Sequence, residues 1–300
     1  MKIRNRKKPS EMKILESLDG RLLLGPELQR QLRQMRDGYL GEERLDLELE
    51  GLADSAIIVD DFVLSQNQTC QIDTVLVTTN SIILLDAKNW NGRYTVSERG
   101  FEQLSNDPLD QLKRAEKIFS RMLEIERIQL PVYSRLVFVN PKMTLYGIQP
   151  EMPIVLSQQI PEFVSKIRQH SGDVTNWELQ LAQRILSHHT NENPYRLKVD
   201  YTWDGVEKGV LCRACRVKMV EKNHRYVHCL SCGATESKGD ALRRTKIEMD
   251  VLFPGCKPEV DRLYRFCGRM VDKRTIHRLK CDIEMEKMDS MSQFRPIVRH

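Results

Sequence analysis

Two groups of residues in this sequence have the composition to do chemistry. In the first, Asp86-Ala87-Lys88 closes an apolar run and Gln71-Ile72-Asp73 opens the run before it. Alternation along a strand sends Asp86 and Lys88 to the same face, two residues' rise apart. If the two runs pair through Thr79-Asn80, Asp73 comes near Asp86. Two converging carboxylates suit a hard divalent cation such as Mg2+ or Mn2+. A lysine beside that cation can orient or deprotonate a water while the metal offsets charge building on a phosphodiester. A strand-end Asp and Lys also commonly form a solvated surface pair, so the motif alone leaves both readings open. In the second group, Cys212-x-x-Cys215 and Cys229-x-x-Cys232 are separated by 13 residues and followed by Gly233. Four thiolates on two such turns are what tetrahedral Zn2+ requires. Cys70, Cys256, Cys267 and Cys281 are scattered, as free thiols and not as a disulfide framework. His224 and His228 are spare candidates for the metal that read as surface histidines.

The elements that must hold these residues follow from pattern and length. At 300 residues the chain predicts about two domains. With 40% hydrophobic and 30% charged residues it has the balance of a soluble globular protein. Its apolar runs fall far short of the ~20 residues needed to cross a bilayer, and the basic N-terminus lacks the apolar region of a secretory signal. The expectation is a cytoplasmic protein with no membrane partner. The net charge of +5 is mild, but its excess lies in residues 1–36 and in the cysteine-rich stretch, flanking a more neutral body. Helical turns are expected within residues 10–36, broken at Gly20 and Gly25-Pro26, and a helix over 38–52 carries Leu45, Leu49 and Leu52. Strands are expected at 55–64, 71–78 and 81–87 as an antiparallel meander, with a further strand at 93–96. Asn106-Asp107-Pro108 starts an amphipathic helix with Leu112, Ala115, Ile118, Phe119 and Met122 on one face. Strands at 135–140 and 153–156 and a helix at 160–167 complete an α/β sandwich with an αβββαβ core.

Gly38-x-x-Gly41-Glu42, Gln71-Ile72-Asp73, Asp86-Ala87-Lys88-Asn89-Trp90-Asn91-Gly92 and Asn106-x-Pro108-x-x-Gln111 occur in this order at compact spacing. The set resembles the nuclease-related domain (NERD) family, a branch of the PD-(D/E)xK nuclease superfamily, over about residues 37–150. The resemblance implies a restriction-endonuclease-like core, with Glu42 on the first core helix and Asp73 and Asp86 as metal-site acids for Mg2+ or Mn2+. It also implies Lys88 as the catalytic lysine and Gln111 as a polar group lining the site. The family usually carries Glu where this chain has Asp86. The wider superfamily accepts either acid.

The expected organisation is a basic helical segment at 1–36, a nuclease-like domain at 37–172, a linker helix within 173–202, a four-cysteine zinc ribbon at 203–238 and a helical tail at 239–300. In the ribbon Arg213, Arg216, Lys218, Lys222 and Arg225 occur with Tyr226 and Val227, as in a nucleic-acid-facing hairpin or in a solvated face over a structural zinc. The tail reads as a helix-turn-helix whose second helix is capped by Asp272 and carries Lys273, Arg274, His277, Arg278 and Lys280, over a core of Phe266, Val271, Ile276 and Leu279. Two functions follow: a metal-dependent nuclease acting on DNA, or a non-catalytic nucleic-acid-binding protein that keeps a degenerate nuclease fold. A third, a protein-binding scaffold, predicts no salt-sensitive DNA affinity, which both others require.

Overall fold

The computed structural model describes residues 1–65, 69–102, 104–190, 199–255 and 260–278. The chain divides into two units, one of Met1–Lys8 with Arg33–Arg196 and one of Pro9–Leu32 with Leu197–His300.

The chain opens with β1 (Lys2–Arg4), followed by α1 (Ser10–Leu18) of the second unit and α2 (Pro26–Leu49). Strands β2 (Ile57–Ser65), β3 (Thr69–Val77) and β4 (Ile82–Lys88) come next, then β5 (Gly92–Ser97), β6 (Gly100–Phe101) and α3 (Pro108–Ile125). The first unit closes with β7 (Val132–Phe138), β8 (Met143–Tyr146), β9 (Ile154–Leu156), α4 (Ile160–His170) and α5 (Asn176–Ser187). The meander β2-β3-β4 is antiparallel, and β7 and β9 extend it in parallel, in the order β1-β2-β3-β4-β7-β9. The β4–β7 join is parallel, so it needs a crossover, which α3 supplies. Asp107 caps α3, its carboxylate accepting the Leu109 N–H, with Pro108 at the first helical position.

Period-two alternation in β4 divides the core. Ile82 and Leu84 pack with Phe119 and Met122 of α3 and Leu181 and Ile185 of α5. Ile83 and Leu85 pack with Leu45 and Leu49 of α2 and Val164 and Ile167 of α4. Both faces of the sheet are therefore covered, which makes the expected α/β sandwich. The alternation breaks at one rung. In β2, Ile57 and Val59 face the α3 side, and beyond Asp60-Asp61 so do Phe62 and Leu64; in β3, Val77 and Val75 and then Ile72 do the same. The register runs Asp60↔Thr74 and Phe62↔Ile72, with Asp61 and Asp73 left unpaired between them. Asp61 has φ 51, the left-handed conformation that Asp tolerates better than most residues.

Several expected boundaries move. Residues 1–36 do not form one segment: β1 pairs with β2, whereas Pro9–Leu32 belongs to the second unit. Helix α2 starts at Pro26, well before Gly38, because glycine only weakens a helix and tertiary packing overrides it. At Gly41 an added Cβ would lie 2.6 Å from the Cβ of Asn89, so this residue lets helix and strand exit touch. The helix expected as a linker is α5, whose Leu181, Ala182 and Ile185 are buried in the core. Its start is fixed by a capping box between Thr175 and Glu178.

In the second unit β10 (Val220–Glu221), β11 (Tyr226–His228) and β12 (Thr235–Ser237) form an antiparallel sheet that runs directly into α6 (Lys238–Leu252), capped by Ser237. No break separates ribbon from tail at residue 238, and α1 packs on α6. α7 (Val260–Phe266) leads through Gly268, at φ 66, to helical residues 273–278. Phe266, Val271 and Ile276 are buried as expected, while Leu279 and Lys280 lie outside the described residues.

Because Ile185 is fully buried, Ile185→Ala should destabilise the chain by about 2–4 kcal/mol in urea unfolding. A solvated linker helix would lose less than about 0.5 kcal/mol.

Candidate active site and metal centre

Asp73 stands where the β3–β4 ladder ends. The last paired rung is Thr74↔Leu85, and one step further the same register sets Asp73 opposite Asp86. There the Asp73 carboxylate accepts the backbone N–H of Ala87 at 2.8 Å. Lys88 Nζ lies 2.5 Å from Asp86 Oδ1. Glu42 comes from α2, whose neighbouring Arg44 donates to Asn89 Oδ1 at 2.9 Å while Asn89 Nδ2 donates to Asp37 O at 2.9 Å. Asn89 thus ties the exit of β4 to the helix that carries Glu42. Trp90 packs against Tyr94, Phe101 and Phe138, which fixes the chain beyond it.

The electrostatics are those of crowded acids. Burial, and then the charge of Asp73, push Glu42 up to about 8, against the pull of Arg6. Burial and Asp86 push Asp73 up to about 6, with Lys88 and the Ala87 N–H opposing. Burial works against the charge of Lys88, but Asp86 and Asp73 outweigh it and hold the ammonium above its ordinary value. Burial first and acid neighbours second thus raise Glu42 and Asp73, and carboxylate oxygens of this kind are the ligands a hard divalent cation takes. Among the described residues, however, the group of three or more His, Cys, Asp or Glu side chains whose ligand atoms lie close enough together to hold an ion is the cysteine cluster. Gln111 is exposed in the first turn of α3, and among the described residues its side chain joins none of the site's hydrogen bonds or ion pairs.

Arg6 was not foreseen as part of the site. Its side chain is only 3% exposed and bonds Glu42 Oε2 at 2.9 Å and Asp61 Oδ1 at 2.8 Å. It also makes two bonds of 3.0 Å to Asp46. In the sequence Arg6 is one of five basic residues between Lys2 and Lys8 and reads as solvated charge. The available signals were Asp46, one helical turn after Glu42, and the charged pair Asp60-Asp61 inside an apolar strand.

The four ribbon cysteines come together, with their sulfurs all within 4.8 Å of one another and neighbours at 3.4 and 3.5 Å. Tetrahedral Zn–S bonds of ≈ 2.3 Å place sulfurs about 3.8 Å apart, so the cluster fits zinc. Neither His224 nor His228 belongs to it. The residue after each Cys pair is left-handed, Gly233 at φ 75 and Arg216 at φ 60. Arg216 also corrects the expected basic face: it turns inward, bonding Asp19 O at 2.9 Å and Glu248 at 2.8 Å. Arg21 and Arg244 meet the same Glu248 at 2.6 and 3.3 Å. Arg213, Lys222 and Arg225 remain exposed, and Val227 is buried. In the tail, Lys273, Arg274, His277 and Arg278 line a shallow cavity of about 420 Å³ with Val260. Lys273 pairs with Asp261 at 2.5 Å, and Asp272 caps the turn through the Thr275 N–H at 2.9 Å.

A sheet covered on both faces, with acids gathered where its central strands end, defines a nuclease-like α/β domain. Residues 37–139, about a third of the chain, match the family model of the nuclease-related domain, and the cysteine cluster lies outside the matched residues. No curated protein and no solved structure matches the chain. The family match points to a nuclease-related function, and among the described residues no helix is long and apolar enough to cross a membrane.

Two outcomes are expected. A carboxyl that binds its proton more tightly when folded (about 8) than in the open chain (4.5) loses the protein stability as pH rises between those values. The stability of Glu42→Gln relative to wild type should therefore improve from about pH 5 to about pH 8.5, read from denaturant midpoints. Cys229→Ser should reduce bound zinc from about one ion per chain towards none in metal analysis and lower the unfolding temperature of the second unit, since metal affinity is folding free energy.

Proposed function

We propose that the chain is a metal-dependent nuclease that hydrolyses phosphodiester bonds, with DNA as its substrate. The observation that carries this reading is the convergence of Asp73 and Asp86 at the ends of paired strands, with Lys88 Nζ 2.5 Å from Asp86. Asp73 and Asp86 would hold Mg2+ or Mn2+, with Glu42 behind them, and the bound cation supplies positive charge to offset that on the scissile phosphate. Asp73 is held through Oδ2 by the Ala87 N–H, which fixes the carboxylate beside Asp86. Lys88 is kept as an ammonium by its two acid neighbours, which suits it to donate hydrogen bonds that orient a water or a phosphate oxygen more than to accept a proton. Asp86 is shorter than Glu by one methylene, and Lys88 beside it contributes the local positive charge. The four cysteines would hold a structural Zn2+. The exposed basic residues of the ribbon and the Lys273, Arg274, His277 and Arg278 group would supply duplex affinity through phosphate contacts.

The test is cleavage of linear and supercoiled DNA in Mg2+ or Mn2+ by wild type, Asp86→Ala and Lys88→Ala at matched zinc content. Loss of cleavage by on the order of 100-fold or more in both variants is expected. A wild type that binds DNA without cutting it would establish the non-catalytic binding protein instead, and cleavage that survives both substitutions would remove these residues from the mechanism.

A further inference from the structure

Arg6 lies outside the residues that match the nuclease-related domain, yet its guanidinium is buried among the acids of the candidate site. We propose that Arg6 is a positioning residue that acts through Glu42, fixing that carboxylate against the unpaired Asp61–Asp73 rung. The inference rests on the reading of Glu42, Asp73 and Asp86 as the active site.

The argument is geometric. With 3% of its side chain exposed, Arg6 cannot touch a substrate. It grips Asp46 with a two-point fork, Nε to Oδ2 and Nη2 to Oδ1, each at 3.0 Å. Asp46 and Glu42 are one turn apart on α2, so this fork sets the rotation of the helix that aims Glu42. Nη1 then divides between Glu42 and Asp61, and Nη2 reaches the Asp73 carbonyl at 3.1 Å and Thr74 Oγ1 at 3.0 Å. One planar group thereby ties α2, β2 and β3 together at the rung where both strands switch face. An ion pair serving only to fasten the N-terminal segment would need Asp46 alone. Two donors turned onto Glu42 and onto the backbone of Asp73 have no place in that simpler account.

Asp61 is the second observation. Its backbone is left-handed, at φ 51, and its carboxylate is held by two donors from the same N-terminal segment, Arg6 Nη1 at 2.8 Å and the Lys7 N–H at 2.7 Å. Strain opposite Asp73, stabilised by the residue that also grips Glu42, is the pattern of a preorganised site. Lysine would keep the charge and lose the fork, so Arg6→Lys separates geometry from charge.

The experiment is a double-mutant cycle in the full chain with zinc bound: Arg6→Gln, Glu42→Gln and the double variant, with Arg6→Lys alongside. Three quantities are read at a temperature below every unfolding transition: kcat and KM for DNA cleavage, and Mn2+ affinity by electron paramagnetic resonance. Arg6→Gln should lower kcat about tenfold or more with KM unchanged, and the double variant should be no slower than Glu42→Gln alone, because residues acting through one another are not additive. Mn2+ affinity should fall in the same non-additive way, and Arg6→Lys should restore neither. Additive losses, wild-type behaviour of Arg6→Gln, or full rescue by lysine would each overturn the proposal. If Arg6→Gln does not fold, the same cycle run with Arg6→Lys decides between these outcomes. If wild type binds Mn2+ but does not cut DNA, the nuclease reading fails, and the affinity cycle still supports or overturns the role of Arg6. A wild type that does neither overturns both.

Discussion

The nuclease-like unit depends on one constraint: its central strands are buried on both faces, so every polar group placed among them must find a partner inside the protein. A continuous strand meets this by alternating cleanly between two apolar cores, as β4 does up to Leu85. β2 and β3 meet it differently. They switch face together at the Asp61–Asp73 rung and concentrate their polar residues there, with Asp60 and Thr74 fully buried and Thr74 Oγ1 donating to Asp60 Oδ1 at 3.2 Å. Lys2 reaches Asp60 at 2.7 Å from the edge strand. A buried carboxylate is tolerated when it is paired and hydrogen-bonded, and costs several kcal/mol when it is not. The N-terminal strand is therefore part of the electrostatic design of the sheet, and the acids left over at the open end of the rung are the ones available for chemistry.

The second unit meets the same requirement around a different centre. Glu248, only 8% exposed, receives Arg21, Arg216 and Arg244, while Arg244 also pairs with Glu236 at 2.8 Å. Arg21 reaches the carbonyls of Glu207 and Gly209, each at 3.0 Å, and lies over the Phe266 ring at 4.4 Å. Phe266 in turn packs with Trp203 and Phe253. A module this rich in polar groups has a small apolar core, and a tetrahedral metal with a buried ion cluster is the kind of reinforcement such modules use. Removing Glu248 would leave three guanidinium groups, that of Arg21 fully buried and those of Arg216 and Arg244 partly so, without their shared acceptor.

The core of the first unit was legible because its signals are local. Alternating Val75 and Val77 marked β3, the apolar run ending at Asp86 marked β4, the Asp107-Pro108 start marked α3, and the spacing of the cysteine pairs marked the cysteine cluster. Pairing through Thr79-Asn80 also put Asp73 beside Asp86, since hairpin register follows from the turn. What stayed hidden depends on contacts distant in sequence. Nothing near Arg6 shows that it returns to Glu42 and Asp73, and nothing near Trp177 shows that α5 covers the sheet instead of spanning a linker. Arg216 looked like one more basic ribbon residue until its acceptor on α6 was known.

The contact between Gly41 and Asn89 sets the spacing of the acids. Helix and strand exit meet there with only the Asn89 Cβ in the contact, and the hydrogen bonds from Asn89 to Asp37 and from Arg44 to Asn89 clamp it from both sides. Glu42 is the very next residue and Lys88 precedes Asn89, so the helix-borne and strand-borne parts of the site flank one close contact. A methyl group at position 41 would act as a shim, opening the gap between Glu42 and the strand-end pair while leaving every functional side chain in the sequence.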